Sequence, residues 1–466
     1  AWRFDAVMSR PMTPSSAGAQ RYGSWAVDLI MLALVLGMGV LAWPRGTGLI
    51  AGFPGLPIPW WGTASDLLLQ GPDAYHWASG VSALWEGRYQ DLDPHRMPAW
   101  QVLAAAVMNI QEDVIRAGHL LNHLLLILTG VLVYLIGRLG GGGRGVGLGA
   151  AAMTLLCQPL MVKAGSFSAE PAVVALVPLT ILLAMMASRR AALAPLAGAA
   201  AGLTMAAHYT LLPYALPPLL FLMMRARGKP RRKLLIAAAF SLGAAMVLGL
   251  LYAFFPWPSL SILSGIYLDP MHQSAAYGSE SLTDSHWSSS LIKLSQGLPA
   301  AVPAAVARSV AALHQGWCPW ALALFLPFLG VLGPGLLGST SAHVRCQPPQ
   351  KRGLAARLWI SSDVALGLAL MLCLAPLPFL EAAGARDRYA LNLLPATALL
   401  FVRGLASLCA GAEALIRPRL PRWPRGLMAG LMGALVATAS VVRAAPGGGP
   451  SGEPPWGLAY LTLGQE

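Results

Sequence analysis

A run of about 20 apolar residues either crosses a bilayer or is buried in a very large core, and this chain repeats such runs along its length. They lie at 25–43, 118–137, 145–162, 171–188, 191–207, 212–224, 234–255, 317–337, 358–380, 389–412 and 424–442, about 11 spans in all. A shorter run, 97–110, reads as an interfacial helix because it is too short to cross. Composition agrees with this: 56% of the residues are hydrophobic, 11% are charged, and the mean hydropathy is +0.60. A soluble globular chain carries roughly 25% charged residues. The predicted fold class is an all-α polytopic membrane protein, with one transmembrane domain over 1–445 and a short Gly/Pro-rich tail at 446–466.

The net charge of +13 would point to nucleic acid in a soluble protein. Here the basic residues gather in short loops between apolar runs: Arg138/Arg144, Arg189/Arg190, 225–233, 343–357 and 417–425. The positive-inside rule puts those loops in the cytoplasm, together with the N-terminus that carries Arg3, Arg10 and Arg21. The reading is an integral protein of a bacterial inner membrane with no nucleic-acid partner. Its first span is retained, because 25–43 is too long for a signal-peptide core and lacks a clear cleavage site. Two large loops, 45–117 and 256–316, then face outward. The five cysteines, Cys157, Cys318, Cys346, Cys373 and Cys409, are odd in number and scattered. They read as small hydrophobes rather than disulfides or a zinc site.

The first outer loop contains "GPDAYHWASGVSALWEGRYQDLDPHRMPAW" (71–100), which collects Asp73, His76, Glu86, Arg88, Asp91, Asp93, His95 and Arg96. Gly71-Pro72 signals a turn, and the apolar spacing of Ala74, Trp77, Ala78, Val81, Leu84 and Trp85 predicts an amphipathic helix over 74–87. Asp73 would be its N-cap. A cap does not account for Asp93, His95 and Arg96, which follow the Gly87 break. Glu170 precedes Pro171 at the outer mouth of a span, where a carboxylate also suits the helix dipole. Arg386, Arg388 and Tyr389 stand at the outer end of another, as phosphate-binding forks or as interfacial anchors. His208 and Tyr209 begin a further outer turn.

Other features read as structural. Gly140, Gly142 and Gly145 spell a formal G-x-G-x-x-G, but between two spans and after no strand, so the nucleotide reading fails its context test. Arg403 is expected to snorkel towards the inner surface. Asp28, near the start of the first span, is either interfacial or a functional intramembrane carboxylate.

Several of these stretches, taken in order, resemble the GT-C-type glycosyltransferases that use polyprenyl-phosphate sugars, such as the protein O-mannosyltransferases and the aminoarabinose transferase of lipid A. They are Asp73 and Tyr75; Leu84-Trp85-Glu86-Gly87-Arg88-Tyr89; Asp93-Pro94-His95-Arg96-Met97-Pro98; "VYLIGRL" (133–139); Glu170-Pro171; and "RYALNLLP" (388–395). The resemblance covers roughly 25–225 and 380–412. It departs from the mannosyltransferases at Ala74, where their Asp-Glu pair would continue. It implies a GT-C-like helical bundle, membrane lipids as surroundings, and a polyprenyl-phosphate-linked sugar as donor on the outer face. Asp73 would be the general base and Glu170 a second catalytic carboxylate. Arg388, with Arg386, His208 and Tyr389, would hold the donor phosphate. Asp93, His95 and Arg96, with Glu170, would orient the acceptor or surround a divalent cation, for which carboxylate oxygens are suitable ligands. A transporter would instead need ionisable groups deep in the spans. A non-catalytic subunit of a membrane complex would keep the bundle without a converging site.

Overall fold

The computed structural model describes residues 26–40, 42, 72–93, 96–157, 160–161, 164, 167–208, 214–226, 230–255, 325–327, 329–331, 362–373, 394–416 and 427–444. Every regular element among them is helical. In chain order they are α1 (Ala26–Val40), α2 (Pro72–Trp85), α3 (Pro98–Val107), α4 (Val114–Gly137), α5 (Gly143–Leu155), α6 (Glu170–Arg189), α7 (Ala194–Met205), α8 (Leu216–Arg225), α9 (Pro230–Phe254), α10 (Ser362–Leu372), α11 (Leu394–Ile416) and α12 (Leu427–Ala444). Helical segments fall within every predicted apolar run. Four stretches, Val114–Gly140, Glu170–Arg189, Pro230–Phe254 and Leu394–Glu413, are long and apolar enough to cross a membrane. The protein is an integral membrane protein of the helical class. The loop at 256–316 and the tail at 446–466 lie outside the described residues.

Local chemistry sets the helix ends. Asp113 caps α4, its carboxylate accepting from the backbone N–H groups of Ile115 and Arg116 at 2.9 Å each. Prolines open α3, α6, α7 and α8, where a missing N–H costs nothing. Lys233 of the basic 225–233 loop donates to the Met223 carbonyl in the last turn of α8 at 3.0 Å. The Glu413 carboxylate accepts from the Met428 N–H at 2.7 Å, which ties α11 to the start of α12.

Small residues bring the helices together. A Cβ added at Gly137 would lie 2.7 Å from Gly147 Cα, and one at Gly130 would lie 2.5 Å from Leu155, so α4 and α5 form an antiparallel hairpin. Gly145 and Gly149 of α5 face Gly430 and Gly433 of α12 in parallel register, with 2.9 Å between a Gly145 Cβ and Gly430 Cα. This is the close backbone approach expected where apolar helices associate in lipid through packing alone. The Gly-rich 137–149 stretch therefore serves as packing surface, consistent with its failure as a nucleotide motif.

Three expectations change. α2 begins at Pro72, so Asp73 lies in its first turn and is not the N-cap. Arg403 does not snorkel: it is buried, with Nη1 3.8 Å from where a Gly140 Cβ would stand, in room left by the glycine. Asp28 is also buried, and its carboxylate receives Arg138 Nε at 2.7 Å, Arg144 Nε at 2.6 Å and the Tyr134 hydroxyl at 3.4 Å. A further difference concerns topology. Gly330 meets the Leu400 backbone and Gly404 meets that of Leu326, so 325–331 runs antiparallel to α11. Strict alternation of the predicted spans would make them parallel.

Candidate active site at the first-loop end of the bundle

The charged stretch folds into α2, a 3-10 turn at Tyr89–Asp91, and α3. α2 ends in a Schellman motif. Arg88 N–H donates to the Ala83 carbonyl at 2.7 Å and Gly87 N–H to that of Leu84 at 3.1 Å, with Gly87 at φ +73°. That conformation favours glycine and accounts for the break in the pattern. Three of the charges are spent locally: Arg88 pairs with Glu86 Oε2 at 2.7 Å and with the Asp91 carboxylate, all in solvent. Those partners, Glu86 foremost, push the Arg88 guanidinium further up.

Asp93 and Arg96 are better covered, with side chains 28% and 14% exposed, whereas that of His76 is 58% exposed. Asp93 Oδ2 stands 3.8 Å from Arg96 Nε and 3.9 Å from His76 Nδ1. Arg96 lies over the Trp77 ring at 5.6 Å, a cation–π placement. His76 and Asp73 both belong to α2, three residues apart.

An aromatic layer lies beneath. Trp100 of α3 meets Trp77 edge-on at 5.4 Å and Phe167 at 5.0 Å, and Phe167 meets His119 of α4 at 6.1 Å. The Trp100 indole N–H donates to Asn122 Oδ1 at 2.9 Å, and Asn122 Nδ2 donates to the Ser168 carbonyl at 3.1 Å. One fully buried amide thus joins α3, α4 and the entry to α6. Glu170, two residues beyond Ser168, is the first residue of α6 and is buried.

The first-loop helices are also pinned to other helix ends. Ala99 N–H donates to the Ala206 carbonyl just past α7 at 3.0 Å, two residues before His208. The Tyr252 hydroxyl of α9 reaches Met97 Sδ at 3.0 Å.

The structure therefore brings Asp93 and Arg96 together and pins their segment to the helix ends that precede Glu170 and His208. Asp73 lies on the helix that carries Trp77. His95, Arg386, Arg388 and Tyr389 lie outside the described residues, so their convergence with Asp73 and Glu170 stays an expectation. Among the described residues no group of three or more His, Cys, Asp or Glu is placed to hold a metal ion.

His76, Asn122 and His119 were not among the predicted site residues. Their signal was present: His119, Asn122 and His123 interrupt an otherwise apolar run at helical spacing, and polar residues inside a span are functional or structural candidates. His119 is 1% exposed, and neither ring nitrogen has a hydrogen-bond partner among the described residues.

No protein-family model matches the chain, and no curated protein matches it. Among solved structures it is similar to ArnT from Cupriavidus metallidurans bound to undecaprenyl phosphate. The TM-score is 0.45 at 13% identity, over 90% of this chain and 70% of that one. It is similar to the Archaeoglobus fulgidus oligosaccharyltransferase tethered to an acceptor peptide, with TM-score 0.43, 15% identity, and 90% and 55% of the two chains covered. It is also similar to the arabinosyltransferase EmbB from Mycobacterium smegmatis, with TM-score 0.38, 14% identity, and 94% and 42% covered.

Proposed function

We propose that the chain is a GT-C-type membrane glycosyltransferase that moves a sugar from a polyprenyl-phosphate donor to an acceptor at the extracytoplasmic face. The observation that carries this reading is the seating of the charged first-loop helices on the end of the bundle where Glu170 opens α6, through the Trp100–Asn122–Ser168 bridge. A transferase of this kind needs a carboxylate within hydrogen-bond reach of the attacking hydroxyl, and a cationic site for the lipid phosphate that leaves.

In this reading Asp73 accepts the proton of the acceptor nucleophile as it attacks the anomeric carbon. Glu170 is the second carboxylate of the site. Arg388, assisted by Arg386, Tyr389 and His208, holds the departing phosphate. Asp93, fixed between His76 and Arg96, orients the acceptor with His95. A divalent cation would be held by Asp93 and Glu170 through carboxylate oxygens, which suit a hard ion, with His95 as a ligand for a transition metal.

The test is release of polyprenyl phosphate from a panel of radiolabelled polyprenyl-phosphate sugars, in membranes that contain the native acceptor. Asp73→Asn keeps the size and hydrogen-bonding oxygen of the side chain but cannot take a proton. It should lower turnover about 100-fold or more while leaving expression and melting temperature unchanged. Turnover equal to wild type would reduce Asp73 to a helix-dipole role. Arg388→Lys should also lose roughly tenfold or more, because the planar fork is lost although the charge survives.

A further inference from the structure

α9 meets the rest of the bundle in two unlike ways. Its middle packs on α7 backbone to backbone: Gly198 meets the Phe240 main chain and Gly243 meets that of Pro195, too closely to admit a Cβ. In its C-terminal half the large side chains of Met246, Leu250 and Phe254 are exposed. Tyr252 is buried, and its hydroxyl donates to Met97 Sδ at 3.0 Å. With Leu248 and Phe255 packed against them, Tyr252 and Met97 form a small apolar cluster apart from the main core. One polar contact in this cluster therefore links α9 to the charged first-loop segment.

Met97 stands directly after Arg96 and directly before Pro98, which opens α3. The main chain on either side of it is held: Arg96 N–H donates to the Asp93 carbonyl, and Ala99 N–H to that of Ala206, at 3.0 Å each. Met97 itself is the extended N-cap residue of α3, and its side chain makes no capping bond. Local helix chemistry thus leaves that side chain to be fixed from outside. A methionine has three rotatable bonds and adapts to many pockets. Apolar packing alone keeps it near α9, whereas a hydrogen bond to its sulfur selects one position. The peptide it shares with Arg96 is then fixed as well, and with it the direction in which Arg96 leaves the chain, over the Trp77 ring and beside Asp93.

We propose that Tyr252 is a positioning residue for the transfer reaction, its hydroxyl holding Met97 and, through Met97, the Asp93–Arg96 pair; this rests on the reading in which Asp93 orients the acceptor. Misplacing a reacting group by about 1 Å can cost on the order of 100-fold in rate, so a remote contact of this kind acts on turnover out of proportion to its effect on stability.

The test uses the full-length protein in mild detergent for structure, and the membrane assay of polyprenyl-phosphate release for turnover. Tyr252→Phe keeps the ring and its packing and removes only the hydroxyl. Hydrogen exchange read by mass spectrometry should quicken severalfold in peptides that cover 93–99 and stay unchanged in α4 and α6, with the melting temperature close to wild type. Turnover should fall about fivefold, the loss of one neutral hydrogen bond expressed in the transition state. Met97→Leu, which removes the acceptor sulfur, should reproduce both effects, and the double variant should be no slower than either single one. Phe254→Leu, on the exposed side of the same turn, should change neither. Faster exchange with wild-type turnover would overturn the proposal, because Tyr252 would then only steady the segment. So would slower turnover with unchanged exchange, or losses that add in the double variant, since the hydroxyl would then act by another route than Met97. A wild-type protein that releases no polyprenyl phosphate would overturn the glycosyltransferase reading, and the exchange data would then support or overturn the hold of Tyr252 on the segment by themselves.

Discussion

The two ends of α4 solve the same problem with different chemistry. At its N-terminal end, three elements are joined by neutral groups: the indole of Trp100, the amide of Asn122 and the carbonyl of Ser168. At its C-terminal end, α1, α4 and α5 are joined by ions, with Asp28 between Arg138 and Arg144. The first junction is dry and aromatic, with Trp100 and Phe167 essentially inaccessible. The second is open on its arginine side. A neutral bridge in a dry site holds one geometry, because every alternative leaves a buried polar group without a partner. A partly exposed ion cluster is screened by solvent, which weakens its hold on one geometry. The first arrangement suits a site that must be rigid, and the second joins three helices through charges that solvent partly screens.

The largest expected effect lies at the dry end. Trp100→Ala removes a fully buried ring and the donor to Asn122 together, and should cost about 3–5 kcal/mol. The measurement is the melting temperature of purified protein in detergent, and a loss below about 1 kcal/mol would mean that α3 is only loosely seated. Asp28→Ala comes next. It leaves two arginines facing each other across a vacated carboxylate, but their partial exposure lets water screen them. The expected cost is about 2 kcal/mol, below the 3–5 typical of fully buried pairs. A larger loss at Asp28 than at Trp100 would reverse the contrast between the junctions.

His119→Leu carries the opposite sign. A buried imidazole with no partner costs roughly 1–3 kcal/mol in desolvation, so an apolar replacement should raise stability by about 1 kcal/mol. A drop in stability would mean that a bound water or substrate group completes the histidine. Arg88→Gln is the smallest. Its partners Glu86 and Asp91 are as exposed as it is, so the melting temperature should not move measurably at 0.15 M salt.

Much of the architecture was legible in the residues. Apolar runs have no other stable place in a helical chain, so helices fall where the runs are. Pro171 and Asp113 mark helix starts, and Gly87 marks the end of α2, because caps are local chemistry. The amphipathic pattern of 74–87 located α2 to within two residues at each end. Asp93 and Arg96 belong together for an equally local reason, a turn in which the Arg96 N–H donates to the Asp93 carbonyl.

What the chain order alone could not decide is which distant groups meet. Asp28 reads as interfacial until α1 is laid against α4 and α5, residues 110 and 116 positions further on. Asn122 reads as one polar residue in an apolar run until Trp100 and Ser168 arrive at its two ends. Arg403 and the sense of 325–331 against α11 are settled by which helices become neighbours. Helix formation depends on contacts three and four residues apart, which any short stretch carries. The partner of a buried charge depends on the packing of whole helices, where small residues such as Gly145 and Gly433 permit close approach and larger ones forbid it.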